Sequence, residues 1–500
     1  MQPLFDAMNT SPVIPLTPAS PAPTPNGGSG DPKHAWHELP RLNPQKRAAQ
    51  ERCGDFHEVY QVFDEVTARE QARRCTQCGT PPCISGCPLG NPIGEFLELI
   101  AEGKILEAAA LFETTSNMPE ICGRVCPHDR LCESTCLLGR RSDPIPVGAL
   151  EVFATEYAFA HGAIQAHPAP PNGHRVAVVG SGPAGLACAD ELAKRGYGVT
   201  VFEAQPVLGG LLATGFPGFK LEPAVLERRL EVLRQRGIQF KTNTVLGQYL
   251  GLEDLYADFE AVFLGMGAQQ PRLPGVPGAT LQRVQQALAF LCGRKLGGAS
   301  NIPRLEVHGQ RVVVIGGGDT AVDCLRSVLR EGATSATCLY RLDSLEIGAS
   351  RRDYLDAVEE GARFVFRAEP VALEDDGGGG VAKVRCLRIE PTGAPGREGE
   401  LGAIAGSGFA IPADVVLVAL GLEPMVLPTG SEWSGIETKP DHTLAVDRQQ
   451  MTTLPRVFAG GDQTHGPDLV VNAVRDGRLA AEGIHRYLQD HGGTGPARHE

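Results

Sequence analysis

Apolar residues fall at helical spacing in the first part of this chain and into short runs punctuated by glycine further on. Over 93–115, IGEFLELIAEGKILEAAALFETT predicts a helical stretch, with Pro92 just before its start. ALEVFATEYAFAHG (149–162) predicts another helix. At Arg175 the texture changes. RVAVVGSGPAGLACADELAKRGYGVTVFEA reads strand, glycine turn, helix, strand, which is a βαβ unit. A second unit begins at Arg311 with RVVVIGGGDTAVDCLRSVLREGATSATCLYR, and the pair forms an internal repeat. Later, ADVVLVALGLEP (413–424) and RVFAGGD (456–462) predict strands, and a helix is expected from about Asp468 to Leu488. DDGGGG (375–380) predicts a loop between strands, and HPAPPNGH (167–174) a linker. Residues 1 to about 35 are rich in Pro, Ser, Gly and Thr, with too little apolar surface to offset ordering, so disorder is expected there.

Composition narrows the class. A length of 500 residues suggests about three domains, large enough to fold without a disulfide framework. Hydrophobic residues at 42% and charged ones at 21% are ordinary for a soluble protein. The balance of 46 basic against 59 acidic residues gives a net charge of −13, which argues against nucleic acid and anionic membranes as partners. No apolar run approaches the roughly 18–20 residues of a membrane span. The first residues have an early Asp, no basic start and repeated Pro, unlike a secretory signal. A cytoplasmic location with reduced thiols is therefore expected.

In that setting the cysteines stand out. There are 14, and eight lie between Cys75 and Cys136. The first run is Cys75-x2-Cys78-x4-Cys83-x3-Cys87-Pro88; the second is Cys122-x3-Cys126-Pro127-x5-Cys132-x3-Cys136. Cubane iron–sulfur clusters take four ligands, mostly thiolates, and a compact run ending in Cys-Pro often sends its last cysteine to a second cluster. Cys75, Cys78 and Cys83 would then hold one cluster and Cys87 would leave for another. Structural zinc, which tends to use separated Cys-x2-Cys pairs, and inert buried thiols are the competing readings. The scattered Cys53, Cys188, Cys292, Cys324, Cys338 and Cys386 fit small packing residues.

Two glycine turns point to dinucleotides. Gly180-Ser181-Gly182-Pro183-Ala184-Gly185 follows an apolar strand and opens a helix. Its glycines suit a tight turn, a close pyrophosphate and close helix packing, and Glu203 ends the next strand where a carboxylate can accept from a ribose. The second turn is Gly316-Gly-Gly318-Asp319-Thr320-Ala321, and its following strand ends in Arg341 rather than an acid. Arginine there suits a ribose 2′-phosphate, so NADPH is expected over NADH. Arg351 and Arg352, in the next loop, add positive charge; a solvated loop edge is the plain alternative for them. Gly460-Gly461-Asp462 ends a late strand, where the Gly pair permits close approach and the Asp can bond sugar or ribityl hydroxyls.

CTQCGTPPCISGCPLGNPI, ICGRVCPHDRLCESTC, VAVVGSGPAGLACAD, VVVIGGGDTAVDC and VFAGGDQTHGPDLVVNAV occur in that order. Together, from about Trp36 to Leu488, they resemble the small (beta) subunit family of NADPH-dependent glutamate synthase. The same architecture is similar to the N-terminal part of dihydropyrimidine dehydrogenase and to NADPH–ferredoxin oxidoreductase subunits. The resemblance implies an α/β fold: two Rossmann-like domains, for FAD and NADPH, the second inserted in the first, preceded by an all-α iron–sulfur domain. The implied boundaries are a disordered extension over 1–35, a helical domain with two 4Fe–4S clusters over 36–166, FAD-binding parts at 172–305 and 423–490, an NADPH domain at 306–422 and a flexible tail at 491–500.

Carried over residue by residue, the resemblance gives Cys75, Cys78, Cys83 and Cys136 to one cluster. It gives Cys87, Cys126, Cys132 and a non-Cys ligand, Glu151, to the other, with Cys122 at a non-ligand position. Gly180 to Gly185, Glu203, Gly209, Gly210, Leu211, Gly461 and Asp462 would contact FAD; Gly316 to Ala321, Arg341, Arg351 and Arg352 would contact NADPH. Leu342 departs from the family's usual second Arg after Tyr340, and Glu423 and His465 stand where relatives often carry Arg. The implied role is electron input: hydride from NADPH to FAD, then single electrons through the clusters to a glutamate synthase large (alpha) subunit, in a hetero-oligomer. No acid–base pair is needed, because the cofactors carry the chemistry. Two other readings remain open here. One is the same role for a pyrimidine- or ferredoxin-reducing complex; the other is a zinc-bearing, non-enzymatic interaction module.

Overall fold

The computed structural model describes residues 35–297, 302–391, 401–428 and 430–491. The expected N-terminal extension and C-terminal tail lie outside these residues, apart from Ala35 and His491. Two compact units are formed: one from Leu39–Pro274, Gln285–Glu306 and the chain from Leu417, the other from Gly275–Val284 and Val307–Val416.

The larger unit is built on a parallel sheet ordered Val457–Ala459, Ala261–Leu264, Arg175–Val179, Gly198–Phe202, Gln239–Lys241. Its central strands are almost wholly buried, as strands covered on both faces must be. One cover is the helix Pro183–Lys194, which packs on the long helix Val470–His491. Gly477 makes that approach possible, since a Cβ there would lie 2.1 Å from the Ala184 carbonyl oxygen. The expected start near Asp468 and end near Leu488 shift by two and three residues, within the usual fraying of helix ends.

The cysteine-rich segment of this unit is helical. The stretch 93–115 is two helices, Ile93–Glu102 and Ile105–Glu113, because Gly103 takes a left-handed conformation (φ +84°) and ends the first. Phe96 and Phe112 then stack across the break, 3.8 Å between ring centres. The predicted helix at 149–162 runs Val147–Ala160. Buried charge ties this segment to the helices around the sheet. Arg229 donates to Glu120 through Nε and Nη2, both at 2.7 Å, and to Glu113 at 2.6 Å. Asn117 donates to Asp190 at 2.6 Å. A buried guanidinium is tolerable only when so paired, and removing one partner strands the other.

The smaller unit carries the second repeat. Arg311–Ile315, Ser335–Leu339 and Arg363–Val365 pair in parallel, with Val415–Val418 and Val284–Gln286 completing the sheet on the other side. Ala368–Asp375 and Val381–Pro391 form an antiparallel pair, and the DDGGGG segment turns between them as expected. Arg351 and Arg352 do not lie in a loop. They open the helix Arg351–Glu359, because Ser350 caps it, its Oγ accepting the Asp353 N–H at 3.2 Å. Among the described residues no helix is long and apolar enough to cross a membrane.

Candidate functional site: thiol cavities and glycine turns

Four of the predicted ligands meet in space. Cys75, Cys78, Cys83 and Cys136 line one cavity, walled by Ile93, Leu97, Leu138, Ile145 and Val147. The helical turn Pro82–Ser85 supplies Cys83, and the start of the helix Ile93–Glu102 closes the wall. Burial pushes the Cys75 thiol up to about 11; burial, with Cys136 and Cys78 as neighbours, raises Cys83 as well. Positive charge entering this apolar hollow would favour the thiolate forms of Cys75 and Cys83 that burial opposes.

A second group surrounds Glu151. Its carboxyl is buried, Oε1 has no hydrogen-bond partner, and burial followed by the nearby Cys122 and Glu120 drives its pKa far up. Cys126 is raised by its hydrogen bond with Cys122 and then by burial, with Glu151 and Cys132 close enough to add to the shift. Burial raises Cys132 too, with Glu133, Cys87 and Glu151 as contributors, and lifts Cys87 to about 11. An orphaned buried carboxyl oxygen among four thiols, Cys122 included, is costly alone and reasonable beside a cationic centre. The first donor set, four thiols on one apolar cavity, fits an iron–sulfur group. Among the described residues no three His, Cys, Asp or Glu side chains converge closely enough to hold a single metal ion.

In the same unit, the first glycine turn is shaped by contacts that exclude a side chain. Gly180 has φ +99°, and a Cβ there would lie 2.3 Å from the Gly265 oxygen; one on Gly185 would lie 2.0 Å from the Gly180 oxygen. A Cβ on Gly182 would meet nothing within 4 Å, so the turn is open on that side. The helix Pro183–Lys194 starts there without a side-chain cap, leaving its first N–H groups and positive dipole end facing the opening. A pyrophosphate fits this cradle.

Glu203 is buried beneath the turn. Its Oε2 accepts the Ser181 N–H at 3.0 Å and Oγ–H at 2.5 Å, and its Oε1 accepts the Gln205 N–H at 2.8 Å. Ser181 Oγ in turn accepts the Gly209 N–H at 2.9 Å, linking the Gly209-Gly210-Leu211 turn to the first. Gly461 (φ +70°) approaches the same helix start, its would-be Cβ 3.0 Å from that of Ala184. Asp462 follows it, and burial lifts its carboxyl to about 7. The sequence reading missed Asp476, a buried acid that accepts the Gly461 N–H at 3.2 Å and bonds His465 Nε2 at 2.8 Å. That pairing raises the His465 imidazole above its ordinary range.

The smaller unit repeats the turn with a different edge. Gly316 has φ +133°, and Gly318 opens the helix Asp319–Arg330 with nothing within 4 Å of its would-be Cβ. Asp319 Oδ1 accepts the Ser350 N–H at 3.0 Å, fastening this helix start to that of Arg351–Glu359. Thr320 and the buried Ala321 complete the first turn. Arg341, Arg351 and Arg352 are all exposed. Two arginines in a helix's first turn oppose its dipole, a cost that Asp353 in the same turn and the Ser350 cap offset.

Known proteins resemble the chain in two blocks. Residues 52–163 match the family model described as dihydropyrimidine dehydrogenase domain II, 4Fe-4S cluster, and residues 174–477 match that of the pyridine nucleotide-disulphide oxidoreductases. The glutamate synthase [NADPH] small chain of Escherichia coli is 40% identical over 472 residues, covering 90% of this chain and 98% of that one. That of Azospirillum brasilense is 41% identical over 464 residues, covering 91% and 95%. The Escherichia coli oxidoreductase AegA is 39% identical over 469 residues, covering 90% of this chain and 70% of that protein. Among solved structures, Mycobacterium tuberculosis FprA in complex with NADPH superposes with a TM-score of 0.54 at 18% identity, over 66% of this chain and 87% of that one, which shows a shared fold.

Proposed function

The chain belongs to the family of NADPH-dependent glutamate synthase small chains, and we propose that it passes electrons from NADPH to a glutamate synthase large subunit. As a member it is an NADPH-dependent flavin oxidoreductase with an iron–sulfur domain. The observation that carries the proposal is the cavity ringed by Cys75, Cys78, Cys83 and Cys136 in the same unit as the Glu203-anchored glycine turn. Bound flavin and iron–sulfur groups supply the hydride-accepting and one-electron chemistry.

The protein's own residues bind, hold and insulate. Residues 36–166 form the cluster domain, 172–305 with 423–490 the flavin domain, and 306–422 the NADPH domain. Cys75, Cys78, Cys83 and Cys136 hold one 4Fe–4S cluster; Cys87, Cys126, Cys132 and Glu151 hold a second. The backbone of Gly180–Gly185 cradles the flavin pyrophosphate, Glu203 faces its ribose, and Asp462 bonds the ribityl chain. The backbone of Gly316–Ala321 receives the NADPH pyrophosphate, while Arg341, Arg351 and Arg352 take its 2′-phosphate.

Anaerobic addition of NADPH to the purified protein should bleach the flavin, and an unchanged spectrum would reject the reading. Iron and inorganic sulfide should be present together; a colourless, iron-free protein would favour the zinc-bearing module. Glu151→Ala should lose or convert one cluster by EPR with FAD retained, and two intact clusters would remove Glu151 from the ligand set. The large subunit should co-purify. Similarity to AegA favours one second reading, the same electron input serving a different acceptor, and failure of the large subunit to bind would select it.

A further inference from the structure

The loop after strand Ser335–Leu339 carries an apparent contradiction. In the proposed function Arg341 meets an anionic ligand, yet Asp343 follows two residues later. Partial burial opposes ionisation of Asp343, but the Ser344 donors and Arg367 outweigh it, so the carboxyl sits below the ordinary aspartate range. Its Oδ1 accepts the Ser344 N–H at 2.5 Å and Oγ–H at 3.0 Å. Its other oxygen, Oδ2, accepts from Arg367 Nη2 at 2.7 Å.

Arg367 is held at this loop by its backbone. Its N–H donates to the Leu342 oxygen at 3.2 Å, its carbonyl accepts the Ile389 N–H at 3.0 Å, and the next N–H, of Ala368, donates to the Tyr340 oxygen at 3.3 Å. It holds φ +50°, a left-handed conformation that costs a long side chain and that Gly or Asn would adopt more easily. The side chains of the pair are 55% and 31% exposed, so the ion pair adds little to stability. The backbone bonds account for the conformation of Arg367 and the cap of Ser344–Glu346 for the place of Asp343, which leaves the pairing of the two side chains to set the charge at the loop.

We infer that Arg367 keeps this loop selective for a 2′-phosphorylated nucleotide by neutralising Asp343. Unneutralised, that carboxylate would accept from an unphosphorylated ribose 2′-hydroxyl and repel a 2′-phosphate. Arg367 is thus a positioning residue acting through Asp343. The inference rests on reading 306–422 as the NADPH domain.

The test uses the holoprotein with two readouts: binding of adenosine 2′,5′-bisphosphate against 5′-AMP, and the KM of NADPH against NADH with ferricyanide as acceptor. R367A should weaken the bisphosphate and raise the NADPH KM by about tenfold, the scale of one lost charge-assisted contact, with the NADH KM holding or falling. R367K should stay close to wild type. Adding D343N to R367A should restore the preference, since the Asp343 charge that Arg367 neutralises is then gone while Glu346, bonded to the Asp343 N–H, is common to every variant. An unchanged preference in R367A, or no recovery in the double variant, overturns the inference. If R367A fails to retain flavin, D343N alone decides: freeing the Arg367 guanidinium should tighten the bisphosphate, and weakening would refute the proposal. A wild-type protein that does not distinguish the bisphosphate from 5′-AMP would instead sink the NADPH reading itself.

Discussion

The two glycine turns share a plan and differ at their edges. Each follows a buried strand, starts on a glycine with positive φ, and opens a helix at a glycine whose would-be Cβ meets nothing within 4 Å. Behind the first turn lies a buried carboxylate, Glu203, wired to Ser181 and Gln205 and through Ser181 to Gly209. Beside the second lie exposed arginines on a loop and a helix start. A site wired into the core suits a resident group, since opening it would orphan several buried donors. Exposed cations suit a ligand that arrives, reacts and leaves, because little internal structure must break at each exchange.

The third small residue of each turn offers the hardest way to break this comparison. Gly185 has the Gly180 oxygen 2.0 Å from its would-be Cβ, whereas the equivalent Ala321 carries a real one and is buried. Gly185→Ala should cost about 3 kcal/mol, the upper range for overpacking, and yield flavin-poor protein with a lowered Tm. Ala321→Gly should cost only about 1 kcal/mol, through helix propensity. Equal costs would mean the first turn is no tighter than the second. Next in size is Glu203→Ala, which leaves the Ser181 and Gln205 donors unsatisfied and should cost about 1–3 kcal/mol with loss of flavin. Glu203→Gln, which keeps an acceptor, should lose less on both measurements.

On the second turn the effect should appear in affinity and leave stability alone. Arg341→Ala removes an exposed cation, so thermal unfolding should not move, while NADPH binding weakens about tenfold and NADH binding hardly changes. Equal losses for both nucleotides in a titration would contradict a 2′-phosphate role.

Legibility followed the range of the interactions. Strand, glycine turn and helix are local, and both βαβ units could be read within a few residues of their observed bounds. The break at Gly103 and the cap at Ser350 are also local: Ser350-Arg-Arg-Asp353 spells a helix start, while the apolar period over 93–115 runs on through Gly103 and so masks the break. Cysteine spacing suggested three of the thiols on the first cavity, but Cys136 lies 53 residues beyond Cys83 and came only with the family. Asp476 was not legible. It reaches Gly461 across 15 residues, and nothing near either residue marks the pair before the helix Val470–His491 packs.

The smallest effect concerns pH and belongs to the wired site. Burial lifts the Asp462 carboxyl from 3.8 to about 7, while His465 and the Asp468 N–H pull it down and the charges of Asp468 and Asp476 push it up. A carboxyl with a raised native pKa binds its proton in the folded state while the unfolded chain has already released it. Its contribution to stability is therefore full below about 4, falls as pH rises, and is lost above about 7. Asp462→Asn stays neutral throughout and should flatten the part of the denaturation-midpoint profile that lies in this window. His465 adds a slope of the same sign, because Asp476 raises its pKa and that stabilisation is present below the ordinary histidine value and lost above the raised one. His465→Gln should therefore flatten the upper part of the same profile, leaving Asp462 to set the lower. A profile unchanged by Asp462→Asn would show that this carboxyl is already ionised in the fold, and the wiring around Gly461 would then be more polar than its burial implies.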